Sequence, residues 1–286
     1  MAGRGRPIAA LADALRRGGW RVDTAETSAA GGARDAASRG LRETYDVLVA
    51  CGGDGTVNQV AHVVASASAD DQIHPLPWLG VVPWGTANIL AGALGVPGGT
   101  AAAARWLLRA CPRLAPLGVV RRAEGDAYFL AVASIGLDAA VVHGMRWPLK
   151  RRWGALAYAG AALTGWPNYF PASIQFELET AGPAPPPADG LILSLTPYYG
   201  GKLRLGRVDA DGAIRLALRG APGLLLPQVL CLATIGLDRA PGVERLPPVG
   251  LSIITPGRPL ELDGEPAGHT PARIFIRPRA IALLGA

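Results

Sequence analysis

A strand-like segment followed by a glycine-rich turn and a helix-like segment occurs twice in the first third of this 286-residue chain. The first copy runs from YDVLVA through CGGDGT into VNQVAHVVASA, and the second from PWLGVVP through WGTAN into ILAGALG. Continuous apolar runs are typical of buried parallel strands. The repeat therefore predicts an α/β domain with an open, mostly parallel sheet. Upstream, IAALADALRRGGW and ARDAASRGLRE are predicted to be helices and WRVDTAE a short strand.

The pattern changes at about Leu117, where short β-type runs separated by turn residues begin. These runs are AYFLAVASIGLDA, SIQFELET, GLILSLTP, AIRLALRG, VLCLATIGL, LSIITPG and ARIFIRP. Strands at this spacing indicate a sandwich or a barrel, and 38 glycines and 25 prolines suit such a turn-rich architecture. We therefore predict an α/β domain over 1–116 and a β-sandwich-type domain over 117–286.

Composition narrows the classes of protein to which the chain can belong. Three cysteines do not suggest a disulfide framework, which fits a reducing cytoplasm. We expect no secretory signal, and no run approaches the roughly 20 apolar residues that span a bilayer. The formal charge of +6 favours an anionic partner, although arginine-rich proteins from GC-rich genomes often carry such a charge without a functional reason.

The first glycine-rich turn has the composition of a phosphate-binding loop. Glycines allow backbone amides to approach a phosphate, and the start of the following helix adds a favourable partial charge. Asp54 would repel phosphate unless a cation lay between them, so a Mg²⁺-bridged nucleotide is the natural ligand. The alternative is a tight turn in which Asp54 or Thr56 caps the helix.

The second turn lies about one βαβ unit later and also ends a strand. Because the ends of adjacent parallel strands share one edge of a sheet, the two turns are expected to face one another across a crevice. Thr86 and Asn88 would supply uncharged hydrogen bonds there. Alone, this turn would be an ordinary capped helix start.

GGDGTVNQV together with PWGTANILAGALGVP resembles the paired signature of the diacylglycerol kinase catalytic-domain family, which includes bacterial lipid kinases and sphingosine kinases. The resemblance continues through YFLAVASIGLDAAVV, YYGGKLRLGRVDADGAIRL and LELDGEP. It implies a first domain of the phosphofructokinase and NAD kinase type. It also implies ATP-dependent phosphorylation of a lipid hydroxyl, on diacylglycerol, a sphingoid base or a related lipid alcohol, with ATP and Mg²⁺ as cofactors.

The resemblance also implies a nucleotide site, with Asp54 additionally near the metal. Its residues would be Thr27, Gly52, Gly53, Asp54, Gly55, Thr56, Val57, Asn58, Gly85, Thr86 and Asn88.

Two further sites follow from the resemblance. Glu265 in the DGE motif would be the base that accepts the proton of the lipid hydroxyl, with Asp263 as its rival or as an orienting partner. Without the upstream turns, DGE would fit a β-turn with solvated acids. A structural Mg²⁺ would bind Asp211 and the carbonyls of Val208 and Ala213, although an ordinary Asp-Gly turn fits equally well.

The sequence departs from the family pattern at three places. The opening strand of the family is expected to be missing, because the chain begins at MAGRGR. Ile89 and Gly92 replace the acid and the arginine that follow the second turn in many diacylglycerol kinases, and Pro116 replaces a common aspartate. A non-catalytic or altered relative of lipid kinases is therefore an open alternative. A metabolite kinase of the NAD kinase type is less favoured, because the further motifs of that family are missing.

A basic aromatic segment suggests a membrane surface as partner. RWPLKRRW, residues 146–153, combines four cations with two tryptophans, and Trp166, Tyr169 and Phe170 extend it. A solvated basic helix above buried tryptophans is the alternative. We expect a cytoplasmic, peripherally membrane-associated protein whose partners are a lipid substrate and an anionic membrane and do not include nucleic acid. The oligomeric state is open, a homodimer included.

Overall fold

The computed structural model describes residues 5–27, 31–69, 76–85, 88–136, 139–140, 173–199, 203–220 and 223–285. The chain folds into two compact units. Unit 1 contains Met1–Ala115 and Arg279–Ala286, and unit 2 contains Pro116–Pro278. The C-terminal segment therefore belongs to unit 1, which corrects the prediction that the second domain continues to residue 286.

The helices and strands follow in chain order. They are α1 (Gly5–Arg17), α2 (Gly32–Arg42), β1 (Val47–Gly52), α3 (Asp54–Ala69), β2 (Trp78–Pro83), α4 (Ile89–Ala93), α5 (Thr100–Leu107), β3 (Cys111–Arg122), β4 (Gly125–Phe129), β5 (Val132–Ile135), β6 (Phe176–Leu178), β7 (Gly190–Ser194), β8 (Tyr198–Tyr199), β9 (Leu203–Arg204), β10 (Ile214–Leu218), α6 (Leu225–Ala233), β11 (Val243–Arg245), β12 (Leu251–Ile253), β13 (Pro259–Leu262), β14 (Glu265–His269) and β15 (Ala272–Gly285). A 3₁₀ turn lies at Leu237–Arg239. In the described parts of the chain, no helix is long and apolar enough to cross a membrane.

Unit 1 is built on a parallel sheet. β1 pairs with β2 in parallel, and the end of β15 pairs with β2 through Leu283 opposite Leu79. Helix α3 packs on β1 and β2, and α5 packs on α1 and β2. The strand–turn–helix repeat therefore forms the predicted mixed α/β unit with a parallel sheet.

Helix α3 shows why the second half of the repeat is helical. Four of its buried side chains, Val57, Val60, Ala61 and Val64, recur at helical spacing and form one stripe on a helix that packs on β1 and β2. Burying that stripe is what fixes the helix directly after the glycine-rich turn.

The predicted strand WRVDTAE is wrong, because residues 20–27 form neither helix nor strand. The segment is largely exposed, and Val22 is its only branched apolar residue, so it has no face to bury in a sheet. Local polar contacts hold it instead. The Val22 carbonyl accepts a hydrogen bond from Arg16 Nη2 at 2.6 Å, and Asp23 accepts one from the Tyr45 hydroxyl at 2.7 Å.

Unit 2 is built from antiparallel strands. One sheet has the order β11-β10-β7-β5-β13-β14, while β12 pairs with both β6 and β15, and β3 pairs with β4. One face of the six-stranded sheet and the strands β3, β4, β6, β12 and β15 share a core, so two layers of strands pack face to face. That core includes Val120, Phe129, Ile135, Phe176, Leu191, Leu251, Leu260 and Ile274.

A second core covers the other face of the six-stranded sheet. It contains Val132, Ile192, Leu205, Ile214, Leu216, Leu237 and Ala240. Helix α6 contributes to it through Cys231 and Leu232, which are partly buried against this cluster.

The predicted strand VLCLATIGL is also wrong, because this segment contains the end of α6 and the first residue of the 3₁₀ turn. A short continuous apolar run does not distinguish a strand from a helix by its periodicity. Pro227 stands in the first turn of α6, where a missing amide is tolerated. Gln228 then fixes the helix, because its Nε2 donates to the carbonyls of Arg219 and Pro241 at 3.1 and 3.2 Å.

The pairing of β15 with β2 predicts that the C-terminal segment stabilises unit 1. Leu283 is 3% exposed, so Leu283→Ala should lower the free energy of unfolding by about 2–5 kcal/mol. Urea denaturation of the full chain followed by circular dichroism measures this loss. Leu114→Ala is the matched control, because Leu114 is 52% exposed in the same unit. Equal losses in both variants would contradict the assignment of this strand to the core.

Candidate functional site

The first glycine-rich turn is held by its own backbone. β1 ends at Gly52 and α3 begins at Asp54. The amides of Thr56 and Val57 both donate to the Gly53 carbonyl, at 3.0 and 3.1 Å. A Cβ atom at Gly52 would lie 2.5 Å from Thr56 Oγ1, so a larger residue would displace the threonine side chain. Glycine is therefore required for the tightness of this turn.

The structure brings the two glycine-rich turns into contact. A Cβ atom on Gly85 would overlap Gly53 Cα, and one on Gly53 would lie 3.1 Å from Gly85 Cα. The Trp84 amide donates to the Gly52 carbonyl at 3.0 Å. The parallel pairing of β1 with β2 aligns the two strand ends, as the spacing of the motifs predicts. Glycine at both positions is what allows the backbones to approach so closely.

Two polar side chains brace the second turn. Asn88 accepts a hydrogen bond from the Gly85 amide and donates one to the Gly85 carbonyl, each at 2.8 Å. Asn88 has a left-handed backbone with φ of 50°, a conformation that asparagine tolerates better than most residues. The Ile89 amide donates to Asp54 Oδ1 at 2.6 Å. Asp54 therefore links the start of α3 to the start of α4.

The remaining residues of the predicted nucleotide site also belong to unit 1. Thr27 lies beside Gly32 at the start of α2, where a Cβ on the glycine would be 3.1 Å from Thr27 Cβ. The Val57 side chain is buried in the core, so only its backbone could serve a ligand. Asn58 follows it on α3 and is partly buried, and Thr86 lies outside the described residues.

Two ionisable side chains near the first turn, Cys51 and His62, have shifted pKa values. Burial raises the pKa of the Cys51 thiol to about 12, so this cysteine remains protonated at neutral pH. Burial, and then the neighbouring Arg34, lower the pKa of His62 on α3. His62 is therefore neutral at physiological pH. Both groups are therefore uncharged at neutral pH, and Asp54 supplies the negative charge beside the first turn.

In unit 2 the DGE motif forms a tight hairpin. Asp263 and Gly264 both have positive φ, at 50° and 85°, between the paired strands β13 and β14. A two-residue Asp-Gly turn of this kind matches the twist of the flanking strands. The turn that the sequence left as an alternative is thus present, but its first acid is not solvated.

Asp263 is only 6% exposed. Its carboxylate accepts hydrogen bonds from the amides of Leu130, Ala131 and Val132, each at 2.8 Å. Charge-assisted bonds of this type are among the stronger ones in proteins. Asp263 is therefore committed to holding the segment before β5 against the hairpin.

The sequence reasoning missed Glu261, which is 1% exposed. Glu261 accepts a hydrogen bond from the Ser134 hydroxyl at 2.9 Å and another from the Gly264 amide. The alternation Leu260-Glu261-Leu262 within a strand was the available signal, because the two leucines lie in the core between the strand layers and Glu261 must face the other side. Glu261 thus holds the DGE turn in place through the hydrogen bond from the Gly264 amide.

Glu265 differs from both of these acids. It is the first residue of β14, it pairs across the hairpin with Leu262, and its side chain is half-buried, not enclosed. Of the two acids in the DGE motif, Glu265 is the one whose position suits contact with a ligand.

The predicted Mg²⁺ site at Asp211 does not fit a cation well. Arg215, whose side chain is 2% exposed, places Nη2 2.5 Å from Asp211 Oδ2. The other carboxylate oxygen accepts the Ala213 amide at 3.2 Å, and the Ala213 carbonyl accepts the Asp209 amide at 2.8 Å. A buried guanidinium beside the carboxylate would repel a metal ion.

The surroundings of Asp211 support the same conclusion. Pro116, which stands where the resemblance expects an aspartate, lies beside Gly212, since a Cβ there would be 3.0 Å from Pro116 Cγ. The Val208 side chain packs against the second core of unit 2. The described residues contain no cluster of three or more His, Cys, Asp or Glu that could hold a metal. The Arg215 guanidinium therefore supplies the positive charge that a metal ion would otherwise supply beside Asp211.

The ion pair predicts that this loop is stable without metal. Dialysis against EDTA should leave the melting temperature of the nucleotide-free chain unchanged, as followed by differential scanning calorimetry. Asp211→Asn should lower the free energy of unfolding by about 3–5 kcal/mol, because the buried Arg215 loses its partner. A melting temperature that rises on addition of Mg²⁺ alone in the wild type, but not in Asp211→Asn, would show that the loop does bind the ion.

The contact between the turns predicts an unequal response to two glycine substitutions. Gly85→Ala should lower the free energy of unfolding by about 1–3 kcal/mol, because the new methyl group meets the Gly53 backbone. Gly92→Ala is the matched control, since a Cβ there meets nothing within 4 Å and alanine favours the α4 helix. Urea denaturation of both variants measures the difference. A Gly85→Ala variant as stable as Gly92→Ala would mean that the turns are further apart.

The predicted membrane-facing residues, from Arg146 to Trp153 with Trp166, Tyr169 and Phe170, lie outside the described residues. Their role stays a prediction.

Comparison with known proteins agrees with the motifs. Residues 3–120 match the model of the diacylglycerol kinase catalytic domain. The "Probable lipid kinase YegS-like" protein of Pseudomonas putida is 31% identical over 94% of this chain and 87% of its own length. The diacylglycerol kinase of Bacillus subtilis is 29% identical over 60% of this chain and 54% of its own length.

A solved structure agrees on the fold. The crystal structure of a diacylglycerol kinase from Bacillus anthracis superposes with a TM-score of 0.70 at 14% identity, covering 99% of this chain and 91% of that chain. The match to the Pseudomonas putida protein over 94% of this chain, together with the matching catalytic-domain model, extends beyond the two glycine-rich turns. This chain belongs to the diacylglycerol kinase catalytic-domain family of lipid kinases.

Proposed function

We propose that this protein is an ATP-dependent lipid kinase that transfers the γ-phosphoryl group of ATP to the hydroxyl of a lipid such as diacylglycerol or a sphingoid base. Membership of a lipid kinase family supports the use of ATP. The observation that carries the proposal is the contact of two glycine-rich turns, Gly53 against Gly85, braced by the hydrogen bond from the Ile89 amide to Asp54. Two turns that only reverse the direction of the chain would not require such a close contact between their backbones.

Unit 1 supplies the elements of a nucleotide site. Two short turns stand at the ends of adjacent parallel strands, where ligands of open α/β sheets bind. The first turn leads into α3, a helix of 16 residues whose N-terminus favours phosphate. Because the amides of Thr56 and Val57 are used by Gly53, the phosphate would be bound by the amides that precede them. Asp54 would bind the Mg²⁺ that accompanies the nucleotide as part of the substrate.

Unit 2 supplies the proton acceptor. In the transfer, the lipid hydroxyl oxygen bonds to the γ-phosphorus of ATP, the bond from that phosphorus to the bridging oxygen breaks, and ADP leaves with its electrons. The hydroxyl proton passes to the Glu265 carboxylate. Asp263 positions this residue indirectly, since its carboxylate is occupied by the amides of Leu130, Ala131 and Val132. This assigns the two acids of the motif to different tasks.

The lipid substrate sets the place where the enzyme works. A kinase that acts on a membrane lipid would meet it at an anionic membrane surface, to which a chain of formal charge +6 is attracted. We therefore propose peripheral association with the membrane.

The separation of tasks predicts distinct effects of two substitutions. Glu265→Gln should lower kcat for phosphorylation of a lipid extract with labelled ATP by about 10²–10⁴-fold, because the base is lost. Its free energy of unfolding should stay near that of the wild type. Asp263→Asn should instead destabilise the chain by about 1–3 kcal/mol, since a buried amide loses its acceptor.

Glu124→Gln is the control, because the Glu124 side chain is 77% exposed and lies in the same unit. Lipid phosphorylation that is equal in wild type and Glu265→Gln would remove Glu265 from the mechanism. Nucleotide binding without any lipid-dependent turnover of ATP by the wild type would favour a non-catalytic relative, as the residues Ile89 and Pro116 suggest.

A further inference from the structure

Helix α6 exposes an apolar stripe to solvent. Leu226, Val229 and Leu230 are 68%, 50% and 56% exposed, and Ala233 is exposed one turn later. The spacing of i, i+3, i+4 and i+7 places the four on one face of the helix. Ile235, 51% exposed, extends the stripe beyond the C-terminal end of the helix. We call these five residues the α6 stripe.

The opposite face of α6 carries the polar anchor. Gln228 is 4% exposed and donates to two backbone carbonyls, while Cys231 and Leu232 pack against the second core. The usual arrangement of a surface helix, with the polar side outward, is thus reversed. The helix sequence contains no charged residue. Gln228 already makes the hydrogen bonds that attach the helix to the rest of unit 2. Packing within the described part of unit 2 therefore does not explain why leucines of this helix are exposed to water.

Cationic and aromatic side chains border the C-terminal end of the stripe. The Arg204 side chain runs beside Gly236, within 3.8 Å of a Cβ built there, and Arg239 is exposed in the 3₁₀ turn that follows. Tyr198, 45% exposed, pairs with Arg204 across the β8–β9 hairpin. In the part of the chain that the structure describes, neither arginine makes an ion pair. The nearby carboxylate of Asp238 is paired with Arg245.

These features together match the surface of an anionic bilayer. Leucine and valine side chains enter the acyl boundary, tyrosine favours the headgroup level, and exposed arginines attract anionic headgroups. A second copy of this chain fits less well. A helix of nine residues is about 13 Å long and about 10 Å wide, so its face offers roughly 130 Å², against the roughly 800 Å² per partner of a stable interface.

We infer that the α6 stripe, with Arg204, Arg239 and Tyr198 at its end, is the surface by which unit 2 docks on an anionic membrane. The inference rests on the proposed lipid kinase function, since it names the surface that brings the enzyme to its substrate. It differs from the basic segment at residues 146–153, because it uses apolar side chains on a helix that the structure describes.

The test measures binding of the full chain to vesicles by co-sedimentation. Vesicles of phosphatidylcholine with about one-third phosphatidylglycerol are compared with phosphatidylcholine alone. Leu226→Glu with Leu230→Glu should weaken binding to the anionic vesicles by roughly tenfold or more, because two side chains that enter the bilayer become charged. Arg204→Gln with Arg239→Gln should reduce the preference for anionic vesicles and the sensitivity of binding to salt.

Ile254→Glu is the matched control, because Ile254 is 47% exposed in the same unit but outside the stripe. Unchanged free energies of unfolding establish that each variant is folded. Equal vesicle binding by the wild type and the Leu226→Glu, Leu230→Glu variant would overturn the inference, as would an equal loss in Ile254→Glu. A wild-type dimer that this variant converts to a monomer, seen by light scattering, would assign the stripe to self-association instead.

Activity on a water-soluble, short-chain diacylglycerol separates this inference from the proposed function. If the Leu226→Glu, Leu230→Glu variant keeps turnover on the soluble lipid but loses it on vesicles, both stand. If no lipid is phosphorylated while the stripe still governs vesicle binding, the docking surface stands and the kinase proposal fails. If lipid is phosphorylated and vesicle binding ignores the stripe, the docking surface fails alone.

Discussion

The backbone contact between Gly53 and Gly85 is the constraint on which the site in unit 1 depends. The parallel pairing of β1 with β2 sets the two strand ends side by side, but only the absence of a Cβ on both residues lets the turns meet. Once they meet, Asp54 at the start of α3 reaches the Ile89 amide. One carboxylate thus fixes the relative position of two helix N-termini. The proposed phosphate site, made of backbone amides, would need such rigidity, because amides cannot adjust as flexible side chains do.

Unit 2 uses buried carboxylates for a similar purpose. Glu261 and Asp263 are almost fully buried, and each accepts hydrogen bonds from groups of other strands or of the turn itself. A buried charge is tolerated only when several donors satisfy it, so the pair determines the conformation of the hairpin closely. Burying these two acids costs desolvation free energy. That cost is expected if the turn must hold Glu265 in one position. At Asp211 the buried Arg215 side chain balances the charge of the carboxylate, so a metal ion is not needed there.

The sequence predicted unit 1 well because its signals are local. Apolar runs, glycine turns and helical spacing follow one another directly in β1, α3, β2 and α4, and neighbouring segments pack together. The pairing of β15 with β2 could not be predicted, because it joins residues at opposite ends of the chain. Likewise, the motif drew attention to Asp263, but its role depends on amides more than 130 residues earlier in the chain. Such long-range partners leave no periodic trace in sequence.

The wrong prediction for VLCLATIGL and the proposed docking surface on α6 have the same cause, which is the high content of apolar residues in this segment. VLCLATIGL was predicted to be a strand because it is a short, mostly apolar run between turn residues, and such a run does not distinguish a strand from a helix. In the structure only one side of α6 is buried, against the second core, and the polar Gln228 lies on that side. Packing within the protein therefore does not account for the apolar residues on the other side of α6. Contact with an apolar environment outside the protein would account for them. A bilayer provides that environment, and it accounts for leucines on the exposed face of a helix whose burial requirements are already met.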